Sequence, residues 1–447
     1  MHFFKRLKTF KGGIHPPENK KLTENLPITD FLLPDTVYLP LNQHLGSPAT
    51  PLVQAGDVVI EGQKIAAASG FISANIHSPI SGTVRKIAPV PYVLGKNISG
   101  IIIDRDKNIP LKTWALQKIN LAEITKDKFI ETIKEKGIVG LGGAVFPTHV
   151  KFMTKPTQKL HTIIINACEC EPYLTVDTRA LLEMTDLFLT GLNIIKKATK
   201  VDRIIIGIED NKPQAIQVLS QKIKTVLGVK VVELQTKYPQ GGEKMLIKAV
   251  TNKEVPAGGL PIDVGIVVLN VNTVIAIAEA FIYDKPLIEK VVTVSGKGIS
   301  QPKNIRVKIG TEFQAILDFC GGISDNTKRL VVGGPMMGLA QADAMTAVLK
   351  STSGLLALTA PEIASTNLSP CIKCGKCVTA CPVNLLPLKI AKFIENNRLD
   401  LALKAGLKDC IECGSCVFVC PSRRPILQLI KYGKIKNQKK EVLKKES

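Results

Sequence analysis

Apolar positions along this chain follow two rhythms. Some are short unbroken runs bounded by polar or turn residues. Examples are Thr162–Ile165 in HTIIINACECEP and the IIIGI of DRIIIGIED. Such runs fit strands buried on both faces, as in a parallel sheet covered by helices. Others are amphipathic, such as Pro213–Leu227 and Phe313–Phe319, and these predict helices. The most apolar window, Ile262–Ile282, is interrupted by Asp263, Asn270, Asn272 and Glu279. It therefore predicts a buried strand and helix rather than a membrane span. Near the end, Ile390, Phe393, Ile394, Leu401 and Ala405 form a stripe at helical spacing and predict two short helices. Strands alternating with helices argue for α/β architecture, and 447 residues are too many for one core.

Composition narrows the class. Hydrophobic residues make up 45% and charged residues 22%, as in a globular protein. The N-terminus, MHFFKRLKTFKGG, is basic but lacks the apolar run and cleavage site of a signal peptide, so a cytosolic location is expected. The net charge is +21. Part of it sits in KYGKIKNQKKEVLKKES, read as a solvated, frayed basic tail at 431–447. Attraction to an anionic membrane surface or an acidic partner is the functional alternative. No helix-turn-helix, zinc-finger or aromatic ribonucleoprotein pattern is present, so no nucleic-acid partner is expected.

Eight of the 11 cysteines lie in two repeats, CIKCGKCVTACPVN and CIECGSCVFVCPSR. C-x2-C-x2-C-x3-C-P supplies four thiolates, three from a tight loop and a fourth that ligates the other cluster in two-cluster ferredoxins. That crossing predicts one [4Fe–4S] cluster on Cys371, Cys374, Cys377 and Cys420. It predicts the second on Cys410, Cys413, Cys416 and Cys381. Gly375 and Gly414 leave room for backbone amides to approach the cluster sulfides. Zinc sites usually take two C-x2-C pairs instead. Cys168 and Cys170 lack a third metal-binding neighbour in the sequence. Cys320 reads as a small buried residue.

Clusters carry single electrons, so an upstream donor is expected. The candidate is GIVGLGGAVFPTHVKF. Gly140, Gly142 and Gly143 permit close backbone approach to a phosphate or ring. Val145 replaces the last glycine of G-x-G-x-x-G, so a standard dinucleotide fingerprint fails. Taken alone, a structural turn explains this loop equally well. Downstream, Asn166, Glu169 and Glu171 gather at the carboxyl end of a predicted strand, where α/β sheets place ligands.

GLGGAVFPTHVK and NACECEP resemble the flavin- and NADH-binding subunit of respiratory complex I, as do GGEKMLIKAV and NVNTVIAIAEA. The resemblance implies non-covalent FMN with NADH stacked on it. By position it implies that Gly140, Gly142, Gly143, Lys151, Asn166, Glu169 and Asn270 touch FMN. Phe146, Glu171 and Glu243 would lie near the nicotinamide nucleotide. Cys168 stands where the resembling pattern commonly has Asp, and Lys244 where it commonly has a second Glu. Residues 48–88 resemble a biotinyl/lipoyl β-sandwich, but the tip region ASGFISANIHSP lacks a modifiable lysine. A docking or structural module is expected, with His77 structural. Residues 290–340, ending in VVGGPMMG, resemble the soluble-ligand-binding β-grasp module, with Gly333, Gly334 and Gly338 at turns.

FKGGIHPPENKK, these motifs and the two ferredoxin repeats, in this order, resemble the RnfC family of the Rnf electron-transport complex. The fold implied is multidomain α/β and α+β. It comprises an N-terminal segment (1–30), a biotinyl/lipoyl-like β domain (31–112) and a Rossmann-like FMN/NADH domain (113–285). A β-grasp module (286–345), an α-helical 2[4Fe–4S] ferredoxin domain (360–430) and the basic tail follow. The implied function is a peripheral subunit on the cytoplasmic face of the bacterial cell membrane. It would pass electrons from NADH to FMN to the two clusters and on to other Rnf subunits, or the reverse, coupled by the complex to ion translocation. Hydride transfer to a flavin needs no acid or base, so no catalytic side chain is expected. Two alternatives stand beside this reading: the cobalamin reductase of propanediol microcompartments, and a non-catalytic iron–sulfur relay subunit.

Overall fold

The computed structural model describes residues 7–31, 33–155, 158–363 and 367–446. Its central sheet is parallel, in the order Val229–Leu234, Arg203–Glu209, Thr162–Ala167, Ile266–Asn270. Side chains alternate between its faces. Ile163, Ile165, Ile204, Ile206, Val267 and Leu269 enter one apolar core, while Ile164, Ile205, Ile266 and Val268 enter another. Both faces are buried, which is why the strands read as unbroken apolar runs. On one face the helices Thr185–Thr199 and Val271–Ile282 pack closely together. Gly191 permits this approach, since a Cβ there would lie 2.4 Å from the Val274 carbonyl oxygen.

The chain builds this sheet outward from Thr162–Ala167 through two strands. It then returns to add Ile266–Asn270 on the other side. That reversal makes a topological switch point, and ligands of open α/β sheets bind outside the strands' carboxyl ends there. Asn166 and Asn270 sit opposite each other at those ends.

The β-sandwich has one sheet of Thr36–Pro40, Lys96–Arg105, Gly82–Tyr92 and Val58–Val59. The other comprises Thr50–Pro51, Lys64–Ala67 and Ile76–His77. Its core runs without a break into that of the central sheet. His77 is a buried residue of the second sheet, where burial holds its imidazole well below its usual pKa.

A six-stranded mixed sheet, with the helix Phe313–Phe319 and buried Cys320 in its core, forms the third module. It reaches beyond 286–345 at both ends. Ile28–Asp30, expected in a separate N-terminal segment, pairs in parallel with Lys303–Lys308, and Gly354–Thr359 supplies an inner strand. The N-terminal stretch thus completes a distant sheet.

In the last module both helices expected between the cysteine repeats form, at Pro387–Glu395 and Leu399–Lys404. Ala402, rather than Leu401, faces the core. The basic tail differs from expectation. Residues 431–446 continue a helix, Ile426–Glu446, that packs on Pro387–Glu395. Lys434 Nζ donates to the Cys410 carbonyl at 2.6 Å and pairs with Glu412 at 2.8 Å. One tail lysine is therefore committed to a cysteine loop.

Candidate functional site

At the switch point, Asn166 and Asn270 shape the crevice by internal bonds. Asn166 donates to the Gly241 carbonyl at 2.8 Å. Asn270 caps the helix Val271–Ile282 through the Asn272 amide and donates to Asp177 at 2.7 Å. Asn272 donates to the other Asp177 oxygen at 2.7 Å. Burial, then the Glu169 charge, raises the Asp177 carboxyl above its ordinary range. Glu169 accepts from the Asp177 amide at 2.7 Å and from the Thr178 hydroxyl at 2.7 Å. It thus neutralises the start of the helix Val176–Glu183. Lys151 Nζ donates to the Val268 carbonyl at 2.8 Å and meets Glu243 at 3.2 Å.

The glycine loop forms the crevice rim. The Leu141 amide donates to Thr273 Oγ1 at 2.9 Å, tying the loop to the helix after Asn270. Gly142, Gly143 and Ala144 are exposed, and Phe146 is half-buried. Gly143 has φ +100° with open space where a Cβ would stand, while a Cβ at Gly142 would lie 3.4 Å from the Asn270 side chain. Val145, at the position where the resembling pattern has glycine, takes φ +43°. A β-branched residue there is strained.

Glu171, expected near the nicotinamide nucleotide, is engaged by the third module. Its carboxylate accepts the Met336 and Met337 amides at 3.0 Å each, from the GGPMMG loop of the third module. Burial pushes this carboxyl up to about 7 against the pull of those amides. Lys20 fixes the same loop from behind. Its buried ammonium donates to the carbonyls of Glu169, Glu171 and Leu174.

A strap, Phe10–Lys20, joins this region to the cysteine module. Gly13 donates to the Ala380 carbonyl at 3.0 Å, and Ile14 pairs with Tyr238. The Tyr238 hydroxyl donates to the Cys413 carbonyl at 2.8 Å. Ile14, Tyr238, Ala380 and Cys413 form one buried cluster, packed against Cys170 and Met336. Cys168 and Cys170 are committed elsewhere: Cys168 Sγ donates to the Gly207 carbonyl, and Cys170 Sγ accepts the Gly241 amide.

The two cysteine loops repeat each other's backbone. Lys373 and Glu412 have φ of 57° and 58°, and Gly375 and Gly414 have 74° and 78°. Each aims an amide at a thiol, Lys373 at Cys371 (3.3 Å) and Glu412 at Cys410 (3.4 Å). Burial raises the Cys377, Cys413 and Cys416 thiols; neighbouring Cys420 and Cys374 add to this at Cys377, Cys381 at Cys413, and Cys410, Cys413, Cys381 and Cys377 at Cys416. Among the described residues no three such side chains converge as they would on one ion. The C-x2-C-x2-C-x3-C-P spacing of both loops is that of cluster ligands, whereas zinc sites usually take two C-x2-C pairs. The two sets differ in exposure. Cys381, Cys413 and Cys416 are each 8% exposed, whereas Cys374 is exposed outright.

Four family models match in series. They are an RnfC barrel sandwich hybrid domain over residues 8–108, a Nuo51 FMN-binding domain over 133–279, an SLBB domain over 291–340 and a 4Fe-4S dicluster domain over 370–423. The RnfC-type component of the proton-translocating ferredoxin:NAD(+) oxidoreductase complex of Clostridium ljungdahlii is 45% identical over 381 residues, covering 85% of this chain and 83% of that one. Its counterpart in the Rhodobacter capsulatus ion-translocating oxidoreductase complex is 42% identical over 439 residues, covering 96% of this chain and 84% of that one. This chain belongs to the RnfC family.

As an RnfC protein the chain carries FMN and [4Fe–4S] cofactors, and its residues fit them. The switch-point crevice ends in an open glycine loop. The loop that closes on Asn166 holds Gln240, fully buried, with neither amide atom partnered among the described residues. Such a group signals a missing partner. Among the described residues no helix is long and apolar enough to cross a membrane. Asn166, Glu169, Asn270, Lys151, Glu243 and the glycines come together at the crevice, while Glu171 turns towards the third module. Sequence reasoning missed Asp177, Lys20, Tyr238 and Met336. Asp177 had a local signal, a carboxylate following closely on the acidic strand end in ECEPYLTVDTR. The other three act through partners distant in sequence.

Proposed function

We propose that this chain is the NAD(H)-linked peripheral subunit of an Rnf complex. It exchanges electrons between NADH, FMN, two [4Fe–4S] clusters and partner subunits at the cytoplasmic face of the membrane, in support of ion translocation. The observation that carries this reading is the junction of Tyr238 with Cys413, which makes the flavin-binding region and one cysteine set a single packed body. FMN exchanges electrons in pairs with nicotinamide and singly with clusters.

The chain's work is placement. Gly140, Gly142 and Gly143 open the rim to FMN, Asn166 and Asn270 form the crevice floor, and Glu169 and Lys151 hold its sides. Phe146 and Glu243 stand on the nucleotide side. Glu171, held by two amides, acts as a fixed polar group and not as a base. Cys381, Cys410, Cys413 and Cys416 form the set facing the flavin region, and Cys371, Cys374, Cys377 and Cys420 form the set facing partners.

An anaerobic optical and EPR titration of the FMN- and iron-loaded chain with NADH tests this. Bleaching of the flavin band followed by reduced [4Fe–4S] signals is expected. Clusters reduced by dithionite but not by NADH, with no flavin bound, would leave a relay subunit instead.

A further inference from the structure

The tip of the β-sandwich, where a carrier domain would keep its modified lysine, has no role in the site described so far. It lies against the glycine loop. The Leu45 amide donates to the Val145 carbonyl at 3.2 Å, and the Ser47 amide donates to the Ile72 carbonyl at 3.0 Å. The Ala74 amide donates to His44 Nε2 at 3.1 Å, and Ser73 Oγ to the Ser47 carbonyl at 3.0 Å. A Cβ at Gly46 (φ +98°) would fall 2.0 Å from the Ile72 carbonyl oxygen, so the two tip loops touch through bare backbone. The Ile72 bond thus ties the loop that carries Phe71 to residues 45–47, and the Leu45 bond ties residues 45–47 to the glycine loop.

Phe71 is 64% exposed and Leu45 52% exposed. Three aromatic side chains are strongly exposed among the described residues, and the other two, Phe418 and Tyr432, belong to the cysteine module. Exposing a large apolar pair on a doubly pinned loop forgoes the gain of burial, and the chain gives that pair no cover. Next to it lie exposed Gly142–Ala144 and the open space at Gly143. A nicotinamide dinucleotide whose nicotinamide end occupies the crevice must lay its purine end somewhere outside. A fixed aromatic face is the chemistry that holds a purine ring, because every base presents a π-face.

We propose that Phe71, on the tip loop tied through residues 45–47 to the glycine loop, is the platform for the adenine ring of NAD(H), so that the β-sandwich tip completes the nucleotide site begun by the glycine loop. This rests on the NAD(H)-linked reading above. Its test compares Phe71→Ala and Phe71→Trp with the unaltered full-length chain, loaded with FMN and iron. Binding of NAD+ is measured by calorimetry, and flavin bleaching is titrated anaerobically with NADH and with reduced nicotinamide mononucleotide, which lacks the adenosine half. Phe71→Ala should weaken NAD+ binding about tenfold and shift the NADH titration equally. Phe71→Trp should restore both, and the mononucleotide titration should coincide for all three proteins. Equal NAD+ binding by Phe71→Ala, or an equal shift with the mononucleotide, would overturn the platform while leaving NADH oxidation standing. A wild-type flavin that dithionite bleaches and NADH does not would remove the NAD(H) reading, and the platform with it.

Discussion

A side chain at Gly142 has one way to grow, into the crevice bounded by Asn270. A methyl there already stands 3.4 Å from the Asn270 side chain. Gly142→Leu should lower the FMN-to-protein ratio of the purified chain at least about tenfold while the iron content stays unchanged. Full FMN retention would move the flavin elsewhere. Asn166 was legible in the sequence because a polar residue ending an apolar strand run marks a sheet's binding edge, whereas Asn270 was reached only through the family resemblance. Lys20 and Lys350 were not legible, since a lysine looks the same locally whether water or carbonyl oxygens surround it. Lys350 is 1% exposed, donates to the carbonyls of Asn75 (2.9 Å) and Gly137 (2.7 Å), and is lowered by burial from 10.5 to about 7. The unfolded chain therefore binds more protons than the folded one between about pH 7 and 10.5, and this lysine makes stability rise with pH across that window. That gain is lost as pH falls back towards 7. Thermal melts at pH 7 and pH 9 should show a smaller pH gain for Lys350→Met than for the unaltered chain; equal gains would mean that the ammonium stays charged.

Elements were read well where their own periodicity decides them, as at Phe313–Phe319, and poorly where distant contacts do. The helix Ile426–Glu446 is held at its start by Ile426 and Ile430, each 1% exposed. Its later turns leave Tyr432 and Ile435 about half exposed, so no apolar stripe announces them. Lysine and glutamate are good helix formers and extend it from that anchor. The strap at Phe10–Lys20 was visible as a motif but not as a tie. Gly12 and Gly13 both have φ +81°, and a Cβ would lie 2.8 Å from the Cys381 carbonyl oxygen at Gly12 and 2.7 Å from that of Tyr238 at Gly13. Gly12→Ala should cost about 1–3 kcal/mol locally. Limited trypsinolysis should cut faster within residues 8–21, and an unchanged rate would mean that the strap does not clamp the cysteine module.

For the molecule as a whole, the two cysteine sets are unequal because only one is built into the junction. Cys413 is 8% exposed, its carbonyl receives the Tyr238 hydroxyl, and Ala380 beside Cys381 receives the Gly13 amide. Cys374 faces solvent and makes no part of that packing. The rest of the chain thus holds the two ferredoxin repeats unequally, one packed into the junction and the other open to solvent. Cys374→Ala should remove one cluster's EPR signal and stop transfer to partner subunits. It should leave NADH-dependent flavin bleaching intact and the other cluster reducible by NADH. Cys413→Ala should also leave the flavin reducible, but the remaining cluster should then fill far more slowly with NADH than with dithionite. The asymmetry is the decisive reading. If both variants leave a cluster that NADH fills at the same rate, the junction does not order the two sets. If the slow phase appears with Cys374→Ala instead, the set facing solvent is the one that the flavin serves.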